Sequence, residues 1–323
     1  MDSLVSVIIS TYNSSRFIEE TLESIACQTW KEIEIIVTDD CSKDDTVEIC
    51  REWLAKHDSR FSMTKLLASD VNTGISGNAN RGLYAANGNW IKFLGADDTL
   101  KTNCLEDNML FVLAHPEIRV LFSKVNIYKN NFNPENFIST VPGDPITSAN
   151  IMSDNNNAES QYQMLLLSDR VHFSPSVFIH RETLVSIGGF NERFPMLEDY
   201  PLWLKLTRNG YRLNFMNRIT VNYRMHNQAV NNTGFKYLVN PNYFKHESFR
   251  KLCIYPYLPP DIRLDRKFIW ISSQIFRFRI FNKDTKFNAL LKDLLTVYLN
   301  PFRYIVRIRI ALYRKLPFYE HYL

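Results

Sequence analysis

The sequence predicts an α/β fold, a doubly wound, mostly parallel sheet followed by a C-terminal helical extension. Two observations carry this. Short apolar, β-branched runs alternate with amphipathic helical stretches through the first hundred residues, which is the rhythm of a parallel sheet covered on both faces. Three of those runs end in polar clusters, and ligands of such sheets sit beyond the carboxyl ends of the strands.

The elements follow in order. "LVSVIIS" (4–10) reads as a buried strand. "SSRFIEETLESIACQ" reads as a helix opened by a Ser cap, with Phe17, Thr21, Leu22 and Ile25 at helical spacing. "IEIIVTDD" (33–40) is a second strand, and "DDTVEICREWLAKH" a second helix with acids at its start, where the dipole favours them. "FSMTKLLAS" is a third strand, "GISGNANRGLYAAN" a helix and "WIKFLGADD" a fourth strand. "TNCLEDNMLFVLAHP" is a helix stopped by Pro116, and "IRVLFSKVNIY" a strand. Residues 129–160, rich in Asn, Ser and Pro, read as a long loop or lid. "FSPSVFIHRETLVSIGGF" gives a strand and a short helix, and another helix starts near Glu198. The expected division is 1–105, 106–235 and 236–323.

Composition removes several classes. The net charge of +4 over 323 residues is too small to argue for nucleic acid. The five cysteines form no CxxC, which fits neither a disulfide framework nor a zinc site and suggests a reducing compartment. "MDSLVSVIIS" has no basic residue before its apolar run, so it does not read as a signal peptide. No run of eighteen uncharged apolar residues occurs, so no span is expected and the expected location is cytoplasmic.

The polar strand ends are the candidate site. Strand one ends in Ser10, Thr11, Tyr12 and Asn13, strand two in Asp39 and Asp40, and strand four in Asp97 and Asp98. Neither GxGxxG nor GxxxxGK[ST] is present, so no glycine-rich nest holds a diphosphate. Two adjacent carboxylates repel unless wet or paired. They mark either a turn or a divalent cation, since Mg²⁺ or Mn²⁺ takes one or two carboxylates plus phosphate oxygens. Tyr12 suits stacking on a base or a half-buried loop position. Asp40 suits the imide N–H of uracil or an Asx-turn cap. Asp199, Leu202, Trp203 and Leu206 share one helix face. Asp199 is then either a dipole-stabilised cap or a general base at the edge of a cleft. Glu198 beside it would orient it or bind a substrate hydroxyl, and Trp203 is assigned to the acceptor side. His226 leaves a strand as a structural residue or a ligand.

With these residues assembled, the sequence resembles the family 2 glycosyltransferases of the GT-A fold, of the type that builds bacterial O-antigen and other surface polysaccharides. "VSVIISTYN", "IEIIVTDDCSKDDT", "GNWIKFLGADD", "GGFNE", "LEDYPLWLKL" and "YRMHN" carry the resemblance, in order, over residues 4 to 227. It implies an inverting transfer of a hexose from a nucleoside diphosphate sugar. Thr11, Tyr12 and Asn13 would line the nucleotide site and Asp40 would hold the base. Asp97 would contact ribose or metal, and Asp98 would ligate Mn²⁺ or Mg²⁺. Asp199 would be the catalytic base and His226 a further diphosphate or metal contact. One base and one metal site suffice for such a reaction, because the transition state is oxocarbenium-like and the metal offsets the charge of the leaving group. The chain departs from the family at Gly95, where many members carry an acid. It departs again at Ala79, where many carry Arg, and Arg81 is left unassigned.

From about residue 265 aromatics, aliphatics and arginines interleave, and Arg303 to Lys315 holds five basic residues and no acid. This suits an amphipathic helix on an anionic membrane surface; the other reading is a helix packed on the domain. No nucleic-acid module is present. The expected donor is UDP-glucose or UDP-galactose, because Asp40 suits uracil. The expected acceptor is a polyprenyl-diphosphate-linked sugar, reached as a peripheral protein at the inner face of the cell membrane. The alternatives are a soluble or protein-linked glycan acceptor, or a non-catalytic membrane-associated nucleotide-sugar-binding protein.

Overall fold

The computed structural model of the chain describes residues 3–143, 150–227 and 237–312. These form two compact units, Met1–Tyr162 with Asp169–His226, and Gln163–Ser168 with Asn227–Leu323.

The first unit is built on one nine-stranded sheet. Strands β1 (Val5–Thr11), β2 (Ile33–Asp39), β3 (Met63–Ala68) and β4 (Trp90–Gly95) run parallel in the order β3-β2-β1-β4. Helices α1 (Ile18–Ala26), α2 (Thr46–His57) and α3 (Gly74–Ala85) connect them, as the alternating pattern requires. Past β4 come β5 (Thr99–Leu100), helix α4 (Cys104–Ala114), β6 (Val120–Lys129) and β7 (Phe137–Val141). Helix α5 (Ala158–Leu167), β8 (Phe178–His180), α6 (Arg181–Ser186), α7 (Asp199–Arg208) and β9 (Asn214–Met225) complete this part of the chain.

The sheet continues β4-β8-β6-β9-β5. Strand β8 is antiparallel to both β4 and β6, and β9 is parallel to β6, so β9 runs in the sense of β4. The carboxyl ends of β1, β2, β4 and β9 therefore face one way. They are also level: Thr11 lies opposite Asp39, and Ser10 opposite Gly95. After β4 the chain turns through Ala96–Asp98 and crosses to β9, where Thr99 and Leu100 pair with Asn222 and Val221. That short crossing brings the aspartate pair to the end of a strand three places away in the sheet.

Two expectations change. Helix α1 starts at Ile18 without a side-chain cap. Ser14 instead accepts at its carbonyl from the N–H groups of Phe17 and Ile18, while its own N–H donates to Thr46 Oγ1 at 2.7 Å. The residue that looks like a cap therefore ties two loops together. The expected loop over 129–160 contains β7, antiparallel to β6 from Val125–Val141 to Tyr128–Phe137. "FISTV" is β-branched, and this wins over the surrounding Asn and Pro; residues 144–149 lie outside the described residues.

The second unit is helical. It holds α8 (Pro241–Lys245), α9 (Glu247–Phe249), α10 (Pro260–Ser273), α11 (Lys286–Asp293) and α12 (Pro301–Leu312). In α12, Val306 and Ile310 are buried while Tyr304, Ile305, Ile308 and Leu312 are exposed. The basic positions Arg314 and Lys315 lie outside the described residues. No described helix is long and apolar enough to cross a membrane.

Helix α3 packs on the sheet through Gly82, where an added Cβ would stand 2.4 Å from Ile8 Cγ2 and 3.1 Å from Thr38 Cγ2. Overpacking of this kind costs about 1–3 kcal/mol. Gly82→Ala should lower the urea unfolding midpoint accordingly, and an unchanged midpoint would refute the close approach.

Candidate active site

The first strand ends split into an inner and an outer set. Thr11 is buried, its Oγ1 donating to Asp39 Oδ2 at 2.8 Å, so it braces two strands rather than lining a cleft. Tyr12 beyond it is 52% exposed and free to meet a flat ligand. Asn13 adopts a left-handed φ of 50° and accepts at Oδ1 from Lys43 N, while its own N–H donates to Ser42 Oγ. It ties the β1–α1 loop to the β2–α2 loop.

Asp40 is 3% exposed. Its oxygens accept from Thr73 N, Thr73 Oγ1 and Gly74 N between 2.7 and 3.0 Å, and Arg81 stands 3.5 Å away. A carboxylate has about four acceptor positions, so an arriving imide N–H must displace one of these donors. The Asx-turn expected of Asp40 before "SKDDT" is made by Asp39, whose Oδ1 accepts from Ser42 N at 2.8 Å, while Asp40 seats the N-terminus of α3. Arg81, left unassigned from sequence, returns along α3 to the carbonyl of Asp39, to Asn78 Oδ1 and to Thr73 Oγ1.

The Asp97–Asp98 pair divides in the same way. Asp98 is 2% exposed and its Oδ1 accepts from Arg224 N at 2.9 Å. Burial, and then the neighbouring Asp97 charge, push its carboxyl well above the usual range. Asp97 remains open to solvent on one side, with Oδ2 2.8 Å from His226 Nε2. Asp97 and His226 are therefore the pair that meets, and Asp98 lies behind them. An oxygen and an imidazole nitrogen together suit Mn²⁺ better than Mg²⁺. Among the described residues no group of three or more His, Cys, Asp or Glu could hold a metal, so a cation here would draw further ligands from a phosphate-bearing substrate. The donor set fits that use. Gly95 keeps the turn tight: a Cβ on it would lie 2.8 Å from Asp97 Oδ1 and 3.5 Å from Asp98 Oδ2.

Arg224 carries no assignment from sequence, yet it holds this corner. It is 3% exposed. Its Nε donates to Asp97 O and its Nη1 to Asn130 O, both at 2.8 Å, and its Nη2 pairs with Glu20. The guanidinium also stacks over Phe132 and Phe17. The pattern "YRMHN" placed an Arg near the site, but only the fold shows which way it turns.

The second acidic pair sits at the start of α7. Asp199 is the first helical residue and Glu198 its N-cap. Asp199 Oδ2 accepts from Ser174 Oγ at 2.9 Å and Oδ1 from Tyr200 N at 2.7 Å. Ser174 is held in place because the buried Lys92 on β4 donates to the carbonyl of the next residue, Pro175, at 2.8 Å. Trp203 does not reach an acceptor site: it is 1% exposed, packed edge-on against Phe122 at 4.9 Å between ring centroids. Its helical phase puts it beneath Asp199, and the core claims it.

Two further residues, neither assigned a role from sequence, join the pairs. Asp169 lies close enough to Asp199 that burial, and then that charge, raise its carboxyl from 3.8 to about 7. Glu198 is pushed up by the same two causes in the same order. Tyr223 on β9 is raised first by burial and then by the charges of Asp98, Asp97, Glu198 and Asp199. One phenol therefore stands within electrostatic reach of both acidic pairs.

A carboxyl with a raised folded pKa binds its proton more tightly folded than unfolded. Its stabilisation is complete below the unfolded value, here 3.8, and is lost as pH rises through about 7. Asp169→Asn should therefore flatten the fall in urea midpoint between about pH 4 and about pH 7.5. Parallel curves for variant and wild type would show that Asp169 is not shifted.

Comparison with known proteins places this arrangement. The Glycosyl transferase family 2 model matches residues 6–170. An Escherichia coli protein, UDP-Glc:alpha-D-GlcNAc-diphosphoundecaprenol beta-1,3-glucosyltransferase WfaP, is 31% identical over 239 residues, 73% of this chain and 83% of its own length. Chondroitin synthase of Escherichia coli is 30% identical over 275 residues, 83% of this chain, although the chain spans only 36% of that enzyme. In fold, the crystal structure of S. aureus TarS 1-349 in complex with UDP superposes with a TM-score of 0.56 at 21% identity, covering 99% of this chain and 89% of that one. A level row of strand ends carrying the aspartate pair, and a family match that spans just over half of the chain, lead to one conclusion: this protein belongs to glycosyltransferase family 2 and has the GT-A fold.

Proposed function

We propose that the protein is an inverting, metal-dependent hexosyltransferase. It moves glucose or galactose from a UDP-sugar to a polyprenyl-diphosphate-linked sugar in the synthesis of bacterial surface polysaccharide such as the O-antigen of lipopolysaccharide. It works as a peripheral protein at the inner face of the cell membrane. The observation that carries this reading is the contact of Asp97 Oδ2 with His226 Nε2 at 2.8 Å, beyond the level carboxyl ends of β1, β2 and β4 in a family 2 chain. The name of the WfaP relative supports both the donor and the lipid-linked acceptor.

Each group then has a task. Tyr12 stacks on the uracil, and Asn13 holds the loop that presents it. Asp40 fixes the start of α3 beneath the base and exchanges one of its donors for the imide. Asp97 and His226 would hold Mn²⁺ or Mg²⁺, whose charge, when bound, offsets that of the departing diphosphate. Asp98 sits behind Asp97 as its support. Asp199, oriented by Ser174, accepts the proton of the acceptor hydroxyl as its oxygen attacks the anomeric carbon. The bond from that carbon to the diphosphate oxygen breaks, UDP leaves with the bonding pair, and the configuration inverts. Glu198, its carboxyl raised and so protonated at neutral pH more than an ordinary one, can donate to an acceptor hydroxyl.

The similarity to chondroitin synthase favours a second reading, transfer to a soluble glycan. Turnover of lipid-linked and soluble acceptors in one assay decides between them.

Two measurements test the proposal. Calorimetric titration with UDP should show binding with Mn²⁺ that is lost in EDTA, and Asp97→Asn should lower that metal-dependent affinity about tenfold or more. No binding of UDP by the folded protein under either condition would exclude the uridine donor. Asp199→Asn should lower kcat by about 10²–10⁴ while UDP affinity stays within about twofold. A variant that turns over normally would remove Asp199 as the base.

A further inference from the structure

The second unit contains an open pocket of about 430 Å³. Among the described residues Lys245, Arg277 and Arg279 line it together with Tyr237, Phe244 and Phe276, and no carboxylate is among them. Three cations with the rings of Tyr237 and Phe244 around one space suit a ligand that is anionic at one end and apolar at the other. The size is within the ordinary range for a small-molecule site.

The surroundings are consistent with this. Residues 237–312 hold fourteen Lys and Arg against five Asp and Glu, so this unit is far more basic than the chain as a whole, whose net charge is +4. Arg277 is held over the Phe244 ring at 5.2 Å. The segment that supplies the arginines alternates in character. Phe276 is buried, whereas Phe278 and Ile280 stand 66 and 69% exposed beside Arg277 and Arg279. Two large apolar side chains exposed beside Arg277 and Arg279 give this edge the mixed basic and apolar character of a surface that meets anionic lipid.

We propose that this cavity binds the diphosphate head of an isoprenoid lipid, with Phe278 and Ile280 against the first units of the chain. The proposal rests on the lipid-linked acceptor of the preceding section and names the class of lipid this unit would bind. Phosphate oxygens alone would also satisfy the three cations, so the probes must separate a lipid diphosphate from the free anion.

Farnesyl diphosphate and inorganic diphosphate, titrated separately into the full-length protein, provide that separation. Farnesyl diphosphate should bind at least about tenfold tighter than inorganic diphosphate, and Lys245→Gln with Arg279→Gln should weaken it about tenfold or more. Phe278→Ser changes an exposed side chain; it should weaken farnesyl diphosphate and leave inorganic diphosphate unchanged. Equal affinity for the two probes, or farnesyl diphosphate binding unaffected in both variants, would overturn the assignment. The UDP titration with Mn²⁺ serves as the control. UDP binding retained with no farnesyl diphosphate binding sinks this site alone, whereas absence of UDP binding in wild type sinks the uridine-donor reading.

Discussion

The site depends on one buried cation. Arg224 is withdrawn from water, and an unpaired guanidinium there would cost several kcal/mol. It is tolerated because every direction it faces is answered: the carbonyls of Asp97 and Asn130, the carboxylate of Glu20, and the faces of Phe17 and Phe132. Its own N–H binds Asp98 Oδ1, so the end of β9 and the turn after β4 are joined through both backbone and side chain. That joint sets where Asp97 points, and hence its bond to His226. Without it, two carboxylates adjacent in sequence would have no reason to divide into one buried and one open.

A second rigid connection runs through α3. Its N-terminus is seated on Asp40, and Asn78 reaches back to the carbonyls of Thr11 and Thr38. On its other side Ser76 donates through both N–H and hydroxyl to the carbonyls of Pro195 and Phe194, and Asn80 binds Phe190 and Glu192. The loop so gripped leads directly into Glu198 and Asp199. One helix therefore spaces the ends of β1 and β2 from the carboxylate pair at the start of α7. The chain from Lys92 through Pro175 and Ser174 to Asp199 fixes the same pair from the sheet. Proximity effects in catalysis require this sort of over-determined geometry.

Much of this was legible in the sequence. The parallel strands announced themselves as uninterrupted apolar runs, and the start of α7 near Glu198 followed from Pro195 and the apolar spacing. The division of roles inside each polar cluster was not legible. Thr11 and Asp98 look equivalent to Tyr12 and Asp97 in sequence; only the strand alternation and the crossing to β9 decide which side chain turns inward. Trp203 was misplaced because a face that points toward a cleft at its first residue points into the core one turn later. Asp169 stands in a segment with no motif around it, and Tyr223 opens "YRMHN" without an assignment of its own; their shifts arise from charges brought close by the fold. The strand at "FISTV" was hidden by the Asn- and Pro-rich turn that makes it possible.

The place a Cβ would take at Gly95 is already within contact of the Asp97 and Asp98 oxygens. Any side chain introduced there meets Asp97 first and turns its carboxylate, and the bond to His226 turns with it. Positions 95, 97 and 226 are therefore epistatic. An acid regained at 95 would not simply add a ligand to the pair already present; it would re-aim that pair.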